Sequence, residues 1–402
     1  MPQTKPKITI IGGGSAALML ACHLDENKFD IAIYERNNAL GRKFLVAGDG
    51  GLNLTYAEEL NSFVGRYSPP HFLEAAIRAF DNTQLRNWLH QQGIETFIGS
   101  SNRVFPLKGI KPIDVLNVFL KRIKQKGIPV HTNYLWKGWN SQQELLFEHQ
   151  GKEVVIPSDK IIFALGGKSW NKTGSDGSWN EAFLKHSISL LPFQASNCAV
   201  EINWDEKILV KAEGKSLKNI SITSGNTTKL GEVVITKYGM EGGAIYALSP
   251  QIREQLNTRN KATITIDLKP ALTIQQILST LNNNSGLTIS AILKEKLNLS
   301  DAQFALLKFN LTKEEFLNKE ILAKSIKNLV LEITGTAPID QAISTVGGVA
   351  LDEVDDSFQL KKIPGNYVIG EMLDWDAPTG GYLLQASFSM GYYLGQKLNS
   401  QM

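Results

Sequence analysis

Cysteine is scarce in this sequence. Only Cys22 and Cys198 occur among the 402 residues, and two cysteines cannot form a disulfide framework. No CxxC pair is present, which argues against redox chemistry by a protein dithiol. Two isolated cysteines fit a reducing compartment best, so we expect a cytoplasmic protein.

The residue patterns of metal-dependent and serine hydrolases are also absent. The six histidines are scattered singly, and neither an HExxH nor a GxSxG motif occurs. The sequence therefore predicts no metal site and no serine nucleophile. Because a lone histidine is more often structural than catalytic, the sequence identifies no catalytic residue.

Long apolar runs and an excess of charge of one sign are missing as well. No stretch of about 18 uninterrupted apolar residues occurs, so no transmembrane helix is predicted. The 42 basic and 39 acidic residues leave a net charge of +3, which gives no case for nucleic acid or an anionic membrane as a partner. We expect a small-molecule substrate, and the composition indicates no oligomeric state.

The strongest motif is a glycine-rich turn between an apolar strand and a helix. The β-branched run Lys7–Ile11 predicts a buried parallel strand, and residues 15–24 predict a helix. Between them lies the spacing GxGxxA, whose small residues allow a tight turn, close approach of a pyrophosphate and packing of the helix on the strand. The free N–H groups at the helix start favour phosphate. The candidate phosphate-binding residues are Gly12, Gly14, Ser15, Ala16 and Ala17.

A second strand and its terminal acid complete this pattern. Residues 30–34 predict a strand, and Glu35 follows 23 residues after Gly12. An acid at this place can bind both hydroxyls of an adenosine ribose, which favours a 2′-hydroxyl over a 2′-phosphate. The alternative is an ordinary βαβ unit whose glycines only make a turn. The agreement of all the spacings favours the dinucleotide site.

The next segment, Arg36 and residues 39–55, predicts a loop that lies along an anionic ligand. Arg42 and Lys43 supply positive charge for phosphates. Glycines in the loop permit close approach of the backbone to the ligand, and they are Gly48, Gly50 and Gly51. The alternative is a plain surface loop, because glycine is common in such loops.

These motifs together resemble a known family. The fingerprint, its acid, LGRK at residues 40–43 and GLNLT at residues 51–55 are similar to the bacterial flavoproteins called aminoacetone-oxidase-like, close kin of the YhiN-type FAD-dependent oxidoreductases. The resemblance implies FAD in an α/β fold, with a Rossmann-like domain of the two-dinucleotide-binding-domain type. Related proteins tend to carry glycine, arginine and cysteine where this chain has Asp49, Gly51 and Leu52, so chemistry that needs that cysteine is not expected.

The resemblance also implies cofactor contacts further along the chain. ALGG at residues 164–167 and the later glycine turns match turns that the family places against the cofactor. A helix start at Gly380 and Gly381 suits the pyrimidine edge of the flavin, because its dipole would stabilise the negative charge of the reduced ring. The further contacts implied are Asn53, Gly166, Gly370, Glu371, Gly380 and Gly381.

Three side chains near these turns have two interpretations each. In amine oxidation, Asp374 could accept a proton and the ring of Trp375 could stack on the substrate. Alternatively, Asp374 caps a turn and Trp375 packs in the core. We favour the second, since aspartate is routine in turns. Asp176 is expected to cap the following helix rather than to act in catalysis.

Helical patterns outside the motifs predict further packing. Residues 69–92 and 112–126 predict amphipathic helices. Ser387, Gly391 and Gly395 share one face of a later helix, and their small size allows close packing on the helix at residues 15–24.

The change in residue pattern along the chain predicts three domains. Residues 1–190 and 338–402 are expected to form the FAD-binding domain. Residues 191–271 and 329–337 alternate like strands and predict an inserted β-rich domain. Residues 272–328 predict a helical subdomain, whose polar composition indicates a surface lid.

Two classes of function remain open. The first is a FAD-dependent oxidoreductase, which either oxidises a small amine with O2 or reduces an unsaturated substrate with NAD(P)H. No second GxGxxG follows Glu35, so NAD(P)H, as a transient electron donor, would enter the substrate cleft directly. The second class is a non-enzymatic flavin-binding redox sensor.

Overall fold

The chain folds into two compact units. The structure is a computed structural model that describes residues 5–47, 51–284 and 286–401. One unit comprises Met1–Gln194 with Ile343–Met402, and the other comprises Ala195–Ala342. The second unit is therefore inserted into the first. Its boundaries lie close to residues 191 and 337, where the residue pattern of the sequence changes.

The strands are short, and most carry β-branched residues that suit a pleated, half-buried surface. In chain order they are β1 Lys7–Ile11, β2 Asp30–Glu35, β3 Thr55–Tyr56, β4 Thr96–Ile98, β5 Arg103–Pro106, β6 Val130–Thr132, β7 Tyr134–Trp139, β8 Leu145–His149, β9 Lys152–Ile156, β10 Lys160–Phe163, β11 Leu190–Ser196, β12 Val200–Glu201, β13 Ser216–Ser224, β14 Thr227–Thr236, β15 Gly239–Glu241, β16 Ala262–Asp267, β17 Leu329–Ile333, β18 Gly335–Thr336, β19 Ser344–Val349 and β20 Asn366–Val368.

The helices vary from a single turn to 19 residues in α16. In chain order they are α1 Ser15–His23, α2 Arg42–Val46, α3 Leu60–Val64, α4 Pro70–Ala79, α5 Asn82–Gln91, α6 Pro112–Gln125, α7 Asn180–Lys185, α8 Glu206–Ala212, α9 Gly243–Tyr246, α10 Ser249–Arg259, α11 Ile274–Asn283, α12 Ile289–Ala291, α13 Asp301–Asn310, α14 Lys313–Leu317, α15 Lys319–Lys327 and α16 Tyr382–Ser400. Among the described residues, no helix combines the length and the apolarity that crossing a membrane requires.

A five-stranded parallel sheet is the centre of the first unit. Its order is β20-β10-β1-β2-β6, and β1 pairs in parallel with both β10 and β2. Because the carboxyl ends of parallel strands meet at one edge, the turns after β1, β2, β10 and β20 lie at the same edge of the sheet. This confirms the predicted α/β fold of the Rossmann type. Two three-stranded antiparallel sheets, β3-β5-β4 and β7-β8-β9, accompany it.

Helix α16 packs closely on helix α1. A Cβ atom built on Gly391 would lie 2.3 Å from the carbonyl oxygen of Ala16, and one built on Gly395 would lie 3.3 Å from the Cβ atom of His23. No side chain larger than a hydrogen atom fits at Gly391 without moving the backbones apart. The small residues of α16 therefore pack on α1, as the sequence predicts.

The second unit is a seven-stranded sheet covered by helices. The strand order is β17-β16-β13-β14-β15-β12-β18. Ile277 and Leu281 of α11 are fully buried, in one apolar core with Ile264 and Ile266 of β16. The structure thus groups residues 272–328 with the sheet, whereas the sequence favoured a separate polar lid. The reason is that the polar residues cover one face of each helix while the other face is apolar.

Two local predictions differ from the structure. The helical pattern of residues 69–92 is interrupted at Phe80, because the Asp81 side chain caps a new helix and accepts a hydrogen bond from the Gln84 N–H. The loop predicted at residues 39–55 contains the short helix α2.

Candidate functional site

The turn after β1 is shaped by two glycines with different surroundings. Gly12 has φ +97°, and a Cβ atom there would lie 2.4 Å from the carbonyl oxygen of Ala164. Gly14 has an extended backbone at the start of α1, and a Cβ atom there would meet nothing within 4 Å in the described part of the chain. Gly12 is therefore required for the contact between two strand ends, whereas Gly14 leaves open space beside the turn.

Helix α1 begins at this open space. Ser15 is partly exposed, whereas Ala16 and Ala17 are buried in the helix packing. Within the described residues, no side chain caps the α1 N-terminus and no acidic residue lies in its first turn. The first N–H groups and the positive end of the helix dipole are therefore available to an anion.

Glu35 is fixed at the end of β2 by three hydrogen bonds. Its Oε2 accepts from the N–H of Gly13 at 2.7 Å, and its Oε1 accepts from the backbone N–H and the side-chain Nδ2 of Asn37 at 2.8 and 2.7 Å. The residue as a whole is 8% exposed. It thus lies beside the glycine turn, where the sequence predicted a ribose partner. Asn37, which holds it, was not predicted.

Arg36 pairs with Asp176, which comes from the segment after β10. Arg36 Nη1 lies 2.9 Å from Asp176 Oδ2. The Oδ1 atom of Asp176 accepts hydrogen bonds from the N–H and the Oγ–H of Ser178. Although burial raises the pKa of Asp176, these bonds and the guanidinium charge lower the pKa below its usual value. Asp176 therefore stabilises a turn before α7, but it does not cap that helix as the sequence predicted, because the N-cap residue is Trp179 and no side chain caps the helix.

The two cations of α2 have different partners. Arg42 is exposed, with Nη1 3.5 Å from Asn37 Oδ1. Lys43 Nζ lies 2.7 Å from Glu371 Oε2 and donates to Ser169 Oγ at 2.8 Å. Lys43 and Glu371 were predicted to contact a cofactor separately, whereas the structure joins them in an ion pair.

The other glycine turns pack on neighbouring backbone and side chains. Gly370 follows β20 with φ +79°, and a Cβ atom there would lie 3.4 Å from the Cβ atom of Ala16. Gly381 has φ +98°, and a Cβ atom there would lie 2.5 Å from the Cα atom of Thr55. Gly380, with φ +113°, lies beside the ring of Tyr56. These turns bring the starts of α1 and α16 next to β20 and β3 respectively.

Asp374 and Trp375 have structural partners. The Oδ1 atom of Asp374 accepts from the N–H of Gly347 at 2.8 Å. Trp375 is 2% exposed and donates its Nε1–H to the carbonyl oxygen of Gly370. The turn-and-packing interpretation therefore describes these residues.

A cavity of about 790 Å³, which includes its open mouth, joins several of the predicted residues. Those that line it are Gly12, Gly14, Glu35, Arg36, Arg42, Lys43 and Gly166. The other described candidates are Ser15, Ala16, Ala17, Asn53, Gly370, Glu371, Gly380 and Gly381, and they do not line it; Gly48 and Gly50 lie outside the described residues. Lining residues that were not predicted are Asn37, Tyr134, Trp136, Ser175 and Trp179.

The described residues fit a dinucleotide such as FAD. The uncapped α1 N-terminus suits a pyrophosphate, and the carboxylate of Glu35 suits a ribose. In addition, two residues that line the cavity each carry a buried polar atom without a hydrogen-bond partner among the described residues, Trp136 Nε1 and Ser175 Oγ. Buried polar atoms are nearly always paired, so such atoms beside a cavity indicate a missing ligand.

The comparisons with known proteins agree with this geometry. Residues 6–397 match the family described as HI0933-like protein Rossmann domain. A relative, the 3-dehydro-bile acid delta(4,6)-reductase of Clostridium scindens, is 23% identical over 408 residues, which cover 97% of this chain and 98% of that protein. The ribosomal RNA dihydrouridine synthase of Haemophilus influenzae is 22% identical over 407 residues, with 98% of each chain covered.

Solved structures share the fold. The 3-ketosteroid delta1-dehydrogenase of Sterolibacterium denitrificans superposes with a TM-score of 0.51 at 10% identity, over 100% of both chains. A flavocytochrome c3 fumarate reductase superposes with a TM-score of 0.50 at 14% identity, over 99% of this chain and 79% of that one.

Proposed function

Because the chain belongs to the HI0933-like family of Rossmann flavoproteins, and is thus a FAD-dependent oxidoreductase, we propose that it reduces a carbon–carbon double bond conjugated to a carbonyl group. Bound FAD supplies the two-electron chemistry. The chain's own residues would bind and orient the cofactor: the α1 N-terminus would hold the pyrophosphate, and Glu35 would hold the adenosine ribose.

The activities for which the two relatives are named support this proposal. A delta(4,6)-reductase saturates double bonds of a bile acid whose 3-dehydro position is a ketone. A dihydrouridine synthase saturates a double bond of a uracil ring, which is also conjugated to a carbonyl group. Both similarities extend over nearly the whole length of this chain, and this common chemistry is the observation that carries the proposal.

Oxidation of a small amine with O2 is the second candidate, because the sequence resembles the aminoacetone-oxidase-like proteins. Asp374 was the carboxylate suited to accept a proton from an amine, but its Oδ1 atom accepts from the Gly347 N–H. That contact gives Asp374 a structural role and does not support a role for it in amine oxidation. We also propose a small-molecule substrate rather than RNA, since the net charge is only +3.

The test is a stopped-flow experiment without oxygen. The FAD-loaded protein is reduced with NADH or NADPH and then mixed with a 3-oxo-4,6-diene bile acid, with uridine or with ribosomal RNA. We expect the dienone to restore the absorbance of oxidised flavin and to gain two hydrogen atoms, which mass spectrometry measures. The matched control is the same mixture with a bile acid that has the 3-oxo group and no double bond.

The competing functions give different results. If aminoacetone bleaches the oxidised protein, and air restores the colour with release of peroxide, while no unsaturated compound reoxidises the flavin, the protein is an amine oxidase and our proposal is wrong. Reoxidation by ribosomal RNA alone would overturn the small-molecule substrate. No turnover with any donor or acceptor would favour the redox-sensor function.

A further inference from the structure

Two residues that line the cavity beside Glu35 each carry a buried polar atom with no partner in the described structure. The atoms are the indole Nε1 of Trp136 and the hydroxyl Oγ of Ser175. Trp136 is 8% exposed and Ser175 is 5% exposed, and both residues line the same cavity as Gly12 and Glu35. A buried N–H or O–H without a partner lowers stability, so it persists where a ligand satisfies it.

The segment that carries Ser175 is held in place on both sides. Asn37 Nδ2 donates to the carbonyl oxygen of Thr173 at 3.2 Å, and Arg36 pairs with Asp176 at 2.9 Å. Gly174 lies so close that a Cβ atom there would be 2.5 Å from Asn37 Nδ2. Ser175 is therefore fixed against the residues that follow Glu35, and its position does not depend on its own hydroxyl.

The order of groups in a dinucleotide places the base next to these two side chains. The pyrophosphate lies at the α1 N-terminus and the ribose at Glu35, so the base extends beyond Glu35. The cavity wall there is formed by residues 36–37, 134–136 and 173–176. An adenine base offers ring nitrogens as acceptors and an amino group as a donor.

We propose that Trp136 and Ser175 bind the adenine base of the cofactor, with the indole N–H donating to a ring nitrogen and the hydroxyl hydrogen-bonded to the same base. This inference rests on the proposed cofactor site. It adds the residues that would distinguish an adenine base from other bases. A uracil base is a single ring whose carbonyl acceptors lie at other positions relative to the ribose, so we expect it not to reproduce these contacts.

Trp179 provides a matched control. It also lines the cavity, but its Nε1–H already donates to the carbonyl oxygen of Gly166 at 3.0 Å. Replacement of either tryptophan by phenylalanine removes one N–H group and keeps an aromatic ring. The two variants therefore differ in whether the lost N–H has a partner inside the protein.

The experiment measures dissociation constants of the cofactor-free protein for FAD, ADP and UDP by calorimetry. ADP and UDP share the ribose and the diphosphate, so only contacts with the base distinguish them. For Trp136→Phe and for Ser175→Ala we expect about tenfold weaker binding of FAD and ADP, as for loss of one buried hydrogen bond. UDP binding should change less than twofold for both variants, and the melting temperature of the cofactor-free Ser175→Ala protein should not fall.

Trp179→Phe should show the opposite pattern, with a lower melting temperature and an unchanged ratio of ADP to UDP affinity. The inference is overturned if Trp136→Phe and Ser175→Ala bind FAD and ADP as the wild type does. It is also overturned if all three ligands weaken by a common factor, since that indicates a structural role. If the wild type binds no FAD, the cofactor assignment itself fails, whereas a wild type that binds FAD but reduces no dienone refutes only the proposed reaction.

Discussion

Gly12 and Gly14 should respond in opposite ways to the same substitution. A methyl group on Gly12 would lie 2.4 Å from the Ala164 carbonyl oxygen, on a residue with φ +97°. Positive φ alone costs alanine about 1–2 kcal/mol, and the overlap adds to that cost. We expect Gly12→Ala to lower the free energy of unfolding by about 3 kcal/mol or more, which is the range of severe backbone conflicts.

Gly14→Ala should spare the fold and weaken the cofactor. Its methyl group meets no described atom within 4 Å, so the cost is that of an alanine before a helix, about 1 kcal/mol or less. The same methyl group occupies the space in which a pyrophosphate would approach the backbone. Loss of one hydrogen bond to a charged group, about 1.5–3 kcal/mol, corresponds to FAD binding that is about 10- to 100-fold weaker.

The assay is urea unfolding of the cofactor-free protein, followed by FAD titration with flavin fluorescence as the signal. The reasoning is refuted if Gly14→Ala binds FAD as tightly as the wild type. It is equally refuted if Gly12→Ala unfolds at the wild-type urea concentration, because the strand ends would then not be in contact.

Three further predictions follow from contacts described above. Glu35→Gln replaces the carboxylate that accepts three N–H groups, so FAD affinity should fall by about 1–3 kcal/mol in the same titration; an unchanged affinity would remove Glu35 from the site. Gly391→Val would place its Cβ atom 2.3 Å from Ala16 O, so urea unfolding should show a loss of about 2–4 kcal/mol, and wild-type stability would contradict the close helix contact. Burial lowers the pKa of His23 from 6.5 to about 4. Between these two pH values the folded state keeps the ring neutral, whereas the unfolded state takes up a proton. The free energy of unfolding should therefore be largest above pH 6.5 and should fall by up to about 3 kcal/mol as the pH drops toward 4. His23→Gln should flatten that pH profile, and an unaltered profile would show that another group titrates.

The sequence predicted the parts of the site that are local in the chain. Between Lys7 and Glu35, strand, turn, helix and acid follow one another at fixed spacings, so the pattern determines the geometry. The small residues of α16 were predicted to pack on α1, because small side chains on one face of a helix allow another helix to approach closely.

Contacts between distant segments could not be predicted. Lys43 and Glu371 are 328 residues apart, and each was assigned to the cofactor because no local pattern shows that they pair. Asn37 was missed because its role depends on the position of the Glu35 carboxylate. Ser175 precedes Asp176, which the sequence analysis considered only as a helix cap, and only burial without a partner indicates a contact of Ser175 with the ligand.

The packing of α16 on α1 has a consequence for synthesis. The phosphate-binding turn is made within the first residues, yet the surface that supports α1 belongs to Tyr382–Ser400, and the outer strand β20 is made only shortly before it. The ribosome therefore finishes synthesis of the inserted unit Ala195–Ala342 before it makes β20 and α16 of the first unit. Domains fold as units during translation, so the inserted unit should fold first. Stable binding of the cofactor should then require that α16 has been synthesised and packed on α1.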